Sequence, residues 1–273
     1  MTIVVTVKIN DGIVLAADSA TTFSDNDGNV IKIYNTANKV FNLVKGLPIG
    51  LLTWGAGGVG AASIATLTKD LRRRLAGEDP SHIDWKLPVD YTIEAVASRV
   101  KEFFHDELYA AQAPSPNFFL GFKVCGYSAG AALPELWDFR IVGDKAIGPV
   151  LARGQDSSGP NWDGEYEAMD RLILGIGTKF KPFLKEQGAD DQQAEEVTSA
   201  AVRALSVPVT IPAMPIKDAI ELATFMVETT IRFVGFNMRA ATVGEPVEVA
   251  AITKHEGFKW VKRKLFFHQD INP

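Results

Sequence analysis

One cysteine, Cys125, stands in a chain of 273 residues, so no internal disulfide can form and a reducing compartment, the cytoplasm, is expected. There are four histidines, and neither they nor the cysteine fall at metal-ligand spacing, so no metal and no cofactor is expected. No run of about 18 apolar residues occurs, which argues against a membrane-spanning helix and against a membrane as partner. A net charge of −5 lacks the basic footprint of a nucleic-acid binder. Signal and transit patterns, internal repeats and low-complexity segments are all missing. What is present is average apolar content spread evenly, enough to bury one core, and one domain over 1–273 is expected.

The opening carries the most information. Ile3-Val4-Val5-Thr6-Val7-Lys8-Ile9, then Asn10-Asp11-Gly12, then Ile13 to Asp18 reads as a strand, a tight turn and a return strand. If Met1 is removed, Thr2 carries a hydroxyl and a free α-amine on one residue. An α-amine titrates near ~8 and can act as general base for its own side chain. The hairpin brings Asp18 back beside Thr2, and Lys39 opens the strand-like run Lys39 to Leu43. A cation near the threonine oxygen lowers the pKa of the hydroxyl or the amine, and a carboxylate fixes that cation. Taken singly, Asp18 reads as a turn residue and Lys39 as an edge-strand charge; beside a terminal threonine they read as a site.

Next comes Thr53-Trp54-Gly55-Ala56-Gly57-Gly58-Val59-Gly60-Ala61, between the strand-like 48–52 and a helix over 61–76 with Ile64, Leu67, Leu71 and Leu75 on one face and Gly77 as its stop. Glycines at that point leave amides uncovered, suited to an oxyanion or a phosphate. The run also satisfies G-x-G-x-x-G, but a dinucleotide site needs an acid at the end of a second parallel strand, and 77–90 reads as a loop. Gly126-Tyr127-Ser128-Ala129-Gly130 satisfies G-x-S-x-G, with His255 or His268 available by chain order. A nucleophile elbow must feed a long helix. Pro134 and the alternating 135–142 follow instead, so Ser128 reads as a hairpin tip and a serine esterase is the lesser alternative.

Further on, 92–109 reads as a helix with Ile93, Val96, Val100, Phe103 and Phe104 inward, and 162–174 as a short helix ended by Gly175. A helix over 191–205 has Asp190 and Gln193 as a cap pair, 217–236 is a long helix, and strands 247–253 and 258–263 close the chain. Segment 175–215 reads as an insertion or extension, and its apolar, proline-punctuated 207–215 is expected to pack over the domain or under a neighbouring subunit. This order of elements predicts an α/β (α+β) four-layer α/β/β/α sandwich of two antiparallel sheets flanked by helices.

Thr2, Asp18 after Ala16-Ala17, Asn38-Lys39-Val40-Phe41 and Gly55-Ala56-Gly57 together resemble the proteasome β-subunit family of N-terminal-nucleophile hydrolases, including the bacterial HslV-type peptidases. A weaker match comes at 249–257. The resemblance implies that Thr2 is nucleophile and base, Lys39 tunes it, Asp18 orients Lys39 and the Gly57 amide holds the oxyanion. It also implies a substrate pocket lined by Thr21, Gly55, Val59 and Ser63, roomy at Gly55, a peptide or unfolded-protein substrate, and self-association into rings or a larger oligomer. An ATPase partner is left open. The chain departs from the pattern in an inserted loop at 23–28, and its best counterparts for a Gly-Ser-Gly turn and a serine near the amine are Ser157-Ser158-Gly159 and Thr242-Val243-Gly244. The position of a second aspartate falls near Arg239 or Ala240. The expected function is a threonine-type peptide hydrolase, and the principal alternative is a catalytically silent ring subunit.

Overall fold

The computed structural model describes residues 2–24, 30–113, 115–238 and 240–264. The opening hairpin forms as expected, but its turn is Asn10-Asp11, and Gly12 already belongs to the return strand opposite Ile9 without a positive φ: β1 (Ile3–Ile9) pairs antiparallel with β2 (Gly12–Ala17), Val4 lying opposite Ala17. Every residue of both strands is buried. Alternation sorts the side chains by face: Ile3, Val5, Val7 and Ile9 enter one apolar cluster, while Val4 enters another on the opposite side. A strand covered on both faces sits in the middle of a layered structure.

β3 (Thr21–Ser24) and β4 (Val30–Tyr34) form a two-stranded ribbon outside the large sheets. β5 (Val40–Asn42) pairs with β6 (Ile49–Gly55), and β7 (Gly58–Val59) with β8 (Ala62–Ser63). Ser63 then caps α1 (Ile64–Ala76), accepting from Thr66 N, and Gly77 at φ 74° ends it in the left-handed conformation. α2 (Ile93–Lys101) runs on in wider π-helical turns over Glu102–Tyr109. β9 (Phe119–Gly126), β10 (Glu135–Val142) and β11 (Lys145–Arg153) form a meander, after which β12 (Gly159–Gly164) pairs with β1. α3 (Glu167–Met169) continues in π geometry over Asp170–Leu174. α4 (Phe180–Glu186), α5 (Asp191–Leu205) and α6 (Ile216–Gly235) precede β13 (Glu248–Thr253) and β14 (Gly257–Lys262).

Two five-stranded antiparallel sheets result, in the orders β12-β1-β2-β13-β14 and β11-β10-β9-β6-β5. Between them Val4, Ile13, Leu15 and Ile252 meet Leu52, Trp54, Cys125 and Leu136. Outside the first sheet, Ala219, Ala223 and Val227 of α6 cover Ile3 and Val5. Outside the second, Leu67 and Leu71 of α1 and Val96 of α2 cover Leu51, Phe122 and Val124. The architecture is the expected four-layer α/β/β/α sandwich. Its middle layer is not wholly apolar: Lys123 Nζ reaches Asp138 at 3.0 Å and Asp163 at 2.6 Å, 5.1 Å from the centroid of the Trp54 ring. Ion pairing and the ring face compensate a fully buried ammonium.

Some expectations need correction. Trp162, read as the start of a helix, lies in β12, and the helix begins at Glu167. β11 and β12 escaped detection because Gly148-Pro149 and Gly159-Pro160 interrupt their patterns. Both are edge strands, where a proline's missing N–H is tolerated. The loop expected over 77–90 contains a 3-10 turn, Pro80–Trp85, that buries Trp85. Within 175–215, α4 and α5 bury one residue between them, Ala194. The 207–215 stretch packs over the domain only in part. Val209 and Met214 pack on the first sheet's outer cluster, while Val207 and Ile211 are exposed. Among the described residues no helix is long and apolar enough to cross a membrane.

Candidate active site

β2 ends at Ala17, so Asp18 emerges directly across from Ile3 and answers its backbone: Asp18 N donates to Ile3 O, and Ile3 N donates to Asp18 Oδ1 at 3.0 Å. The same Oδ1 accepts from Lys39 Nζ at 2.6 Å, and Lys39 also donates to Ala20 O at 2.6 Å. Oδ2 accepts from Ala20 N at 2.9 Å and Gly244 N at 3.1 Å. Asp18 is fully buried and saturated with donors, which is what a buried carboxylate requires. Lys39 is delivered by β5, whose ladder with β6 extends one residue further through Thr53 N to Lys39 O. Burial pushes the Lys39 ammonium below its ordinary pKa, against the pull of Asp18, which raises it.

Thr2 lies at the head of β1. Its carbonyl accepts from Glu165 N at 2.7 Å, so β12 holds it on one side while β2 holds the next residue on the other. Thr2, Lys39, Thr21, Gly55, Gly57 and Ser63 all line one cleft of about 730 Å³. Asp18 sits behind its wall through the bond to Lys39. Trp54, Phe23, Tyr34 and Ile64 supply apolar lining, and Lys39 is the charged side chain among the described residues that line it.

Val59, expected in the pocket, is not part of that lining; it is buried in the cluster beneath α1. Gly55 lines the cleft, but not for roominess. A Cβ there would lie 2.4 Å from Phe119 O at a φ of +95°, so the glycine is required by the approach of β9. Ser63 also serves as helix cap. Gly58-Val59 turns back onto Ala62-Ser63 as an antiparallel hairpin, so the G-x-G-x-x-G run belongs to no parallel β-α-β unit.

Ser128 lies in the turn between β9 and β10, where its Oγ accepts from Ile93 N at 3.0 Å; no elbow feeds a helix there. Ser157-Ser158-Gly159 falls at the far end of β1 from Thr2, with Gly159 opposite Lys8 and Ser157 O accepting from Lys8 Nζ. Thr242-Val243-Gly244 does reach the site, through Gly244 N. Met1, 25–28 of the inserted loop, Arg239 and His268 lie outside the described residues.

Three groups near the site were missed from sequence. Glu165 is buried and follows the residue paired with Ile3, so it stands across the sheet from Thr2. Lys264 and Glu248 form a buried ion pair at 2.9 Å behind Asp18 and Lys39. A Gly-Glu step after an undetected strand, and a lysine beyond the last strand, carry no local signal. Among the described residues no three His, Cys, Asp or Glu side chains converge on a metal position.

No family model and no curated protein matches this chain. The resemblance to proteasome β-subunits and HslV-type peptidases is corrected by the solved structures to which the chain is similar, which are Anbu proteins. Among solved structures the chain is similar to Anbu (ancestral beta-subunit) from Yersinia bercovieri, at 16% identity and TM-score 0.51, covering 95% of this chain and 86% of that one. It is likewise similar to an Anbu (Gly-1) mutant from Hyphomicrobium sp. strain MC1, at 17% identity and TM-score 0.51, covering 97% and 86%. At such identity the likeness establishes the fold: this chain has the α/β/β/α architecture shared with Anbu, the ancestral beta-subunit.

Proposed function

We propose that the chain is a threonine-type hydrolase of peptide bonds, using Thr2 freed of Met1 as nucleophile, within an assembly of several copies of one domain. The observation that carries this reading is the shared Asp18 oxygen, which joins the amide following Thr2 to the ammonium of Lys39 on one cleft. The Thr2 hydroxyl attacks the scissile carbonyl, its proton passing to the α-amine. The Lys39 charge favours the developing alkoxide, and the Gly57 amide faces the oxyanion. The amine then returns the proton to the leaving nitrogen, and water hydrolyses the ester on Thr2. The apolar lining and the absence of a carboxylate among its described members favour neutral or apolar side chains in a peptide or unfolded-protein substrate.

The test begins with the intact mass of untagged protein, where loss of one methionine is expected. Thr2→Ala should then abolish peptide hydrolysis without unfolding. A Thr2→Ala protein that hydrolyses peptides at the wild-type rate would sink the reading. A silent ring subunit is the second reading, favoured by the distance of Ser157-Ser158-Gly159 from Thr2. Inactivity of wild type and variant alike, after confirmed loss of Met1, would establish it.

A further inference from the structure

We propose that Lys264 is a positioning residue of this site, a second buried lysine that locks the segment delivering Lys39 and sets a like charge behind it. The proposal rests on the reading of Thr2 and Lys39 given above and deepens it. Lys264 lies just past β14, yet its ammonium is buried against the residues on either side of the Asp18–Lys39 pair. It donates to Ser19 Oγ at 3.0 Å, immediately after Asp18, and to Ala37 O, two residues before Lys39. Glu248, at the start of β13, forms an ion pair with it at 2.9 Å. Ser19 is fixed in turn by Oγ donating to Pro246 O, and its carbonyl accepts from Ala37 N at 3.0 Å. One ammonium therefore ties together the end of β2, the 37–39 approach to β5 and the last sheet pair.

The charges are arranged so that this tie has an electrostatic consequence. Lys39 faces Asp18 from β2, Glu248 from β13 and Lys264 from beyond β14, with the Thr2 amine on the cleft side once Met1 is gone. Burial lowers the Lys39 pKa first, Asp18 opposes it, and the like charge of Lys264 lowers it further than Glu248 restores it. Lys264 is itself held below the ordinary lysine value by burial, against Glu248. The Lys39 charge that favours the developing alkoxide is therefore lost at a lower pH than it would be without Lys264 behind it.

The experiment is a titration of the full-length protein labelled with ¹³Cε-lysine, the Lys39 signal being assigned by its absence in Lys39→Arg. Lys264→Met should move the Lys39 midpoint to higher pH, and the limb of the peptide-hydrolysis profile that follows Lys39 should move with it. Lys264→Arg, which keeps the charge, should leave the midpoint near wild type. Lys264→Met leaves Glu248 buried and unpaired. The double variant Lys264→Met/Glu248→Gln removes both charges and should fold if the single one does not, with a smaller upward shift. A midpoint unmoved in a folded Lys264→Met or double variant overturns the proposal, even if the protein is an active peptidase. A shifted midpoint in a protein without turnover supports it and sinks the hydrolase reading instead.

Discussion

Asp18 is the residue on which the site depends, because each of its oxygens already has two donors. Asp18→Asn leaves the Lys39 ammonium buried without a counter-charge, and should cost about 3–5 kcal/mol in urea unfolding. Lys39→Ala leaves the buried Asp18 carboxylate without its counter-charge, with only backbone amides donating to it, and should lower the unfolding midpoint as well. It should also lower kcat/KM for a peptide substrate by roughly 10²–10³-fold in the protein that remains folded. Thr2→Ser keeps hydroxyl and amine and should retain part of the rate, whereas Thr2→Ala should retain none. Selectivity belongs to the same scale: leucyl or phenylalanyl reporters should be cleaved faster than arginyl ones, since no described carboxylate lines the cleft to offset a buried guanidinium. The Asp18–Lys39 half of this site could be read from the chain because one hairpin and one short strand bring its members together. Glu165, Glu248 and Lys264 could not, because pairing across the sheet from distant segments places them there.

Between elements, the tightest constraint is where β12 meets Thr2. A Cβ on Gly164 would lie 1.8 Å from Thr2 O, at a φ of +94°. Gly164→Ala must therefore displace Thr2, the proposed nucleophile, and a shift of about 1 Å is enough to lose roughly 10²-fold in rate. Gly46 also has positive φ, at +84°, but open space around it. Gly46→Ala should show the backbone penalty, about 1–2 kcal/mol, and no change in kcat. At the other end of β9, Tyr127 is buried between the sheets, and burial, with Asp11 nearby, raises its pKa to about 12. Its folded value exceeds the unfolded one of about 10, so the stability it lends is complete below pH ~10 and is lost as pH rises toward 12. The gap in unfolding free energy between wild type and Tyr127→Phe should shift against wild type across that interval. α1, α2 and α6 were legible because their apolar positions recur at 3–4 residues, and α5 because Asp190 and Gln193 form a true capping box. β11 and β12 were not, since an edge strand tolerates the glycine and proline that disguise it.

For the whole molecule, the described surface carries more apolar side chains than its layers need. Ile147, Val150 and Leu151 are exposed on edge strand β11, and Phe225, Phe233 and Phe236 along and just past α6. An edge strand so apolar invites pairing. Light scattering at micromolar concentration should give a multiple of the chain mass, and a monomer would remove the proposed assembly. The layered architecture was readable from element order because a strand such as β1, apolar throughout, has to be covered on both sides. The extra helical segment α4–α5 was visible as surplus length, but not as helices resting lightly on the surface.

The two walls of the cleft differ in kind. Thr2, Lys39 and Thr53 belong to the large sheets or their direct continuation, whereas Thr21, Thr22, Phe23 and Tyr34 belong to the β3–β4 ribbon, which pairs with neither sheet. A two-stranded ribbon alone is marginally stable in water, while amides in central strands open only with global unfolding. Hydrogen exchange should therefore be fast in the ribbon and slowest in β1. Mild denaturant should loosen the proposed hydrolase's discrimination among substrates well before it extinguishes turnover, so that it becomes less choosy before it becomes inactive.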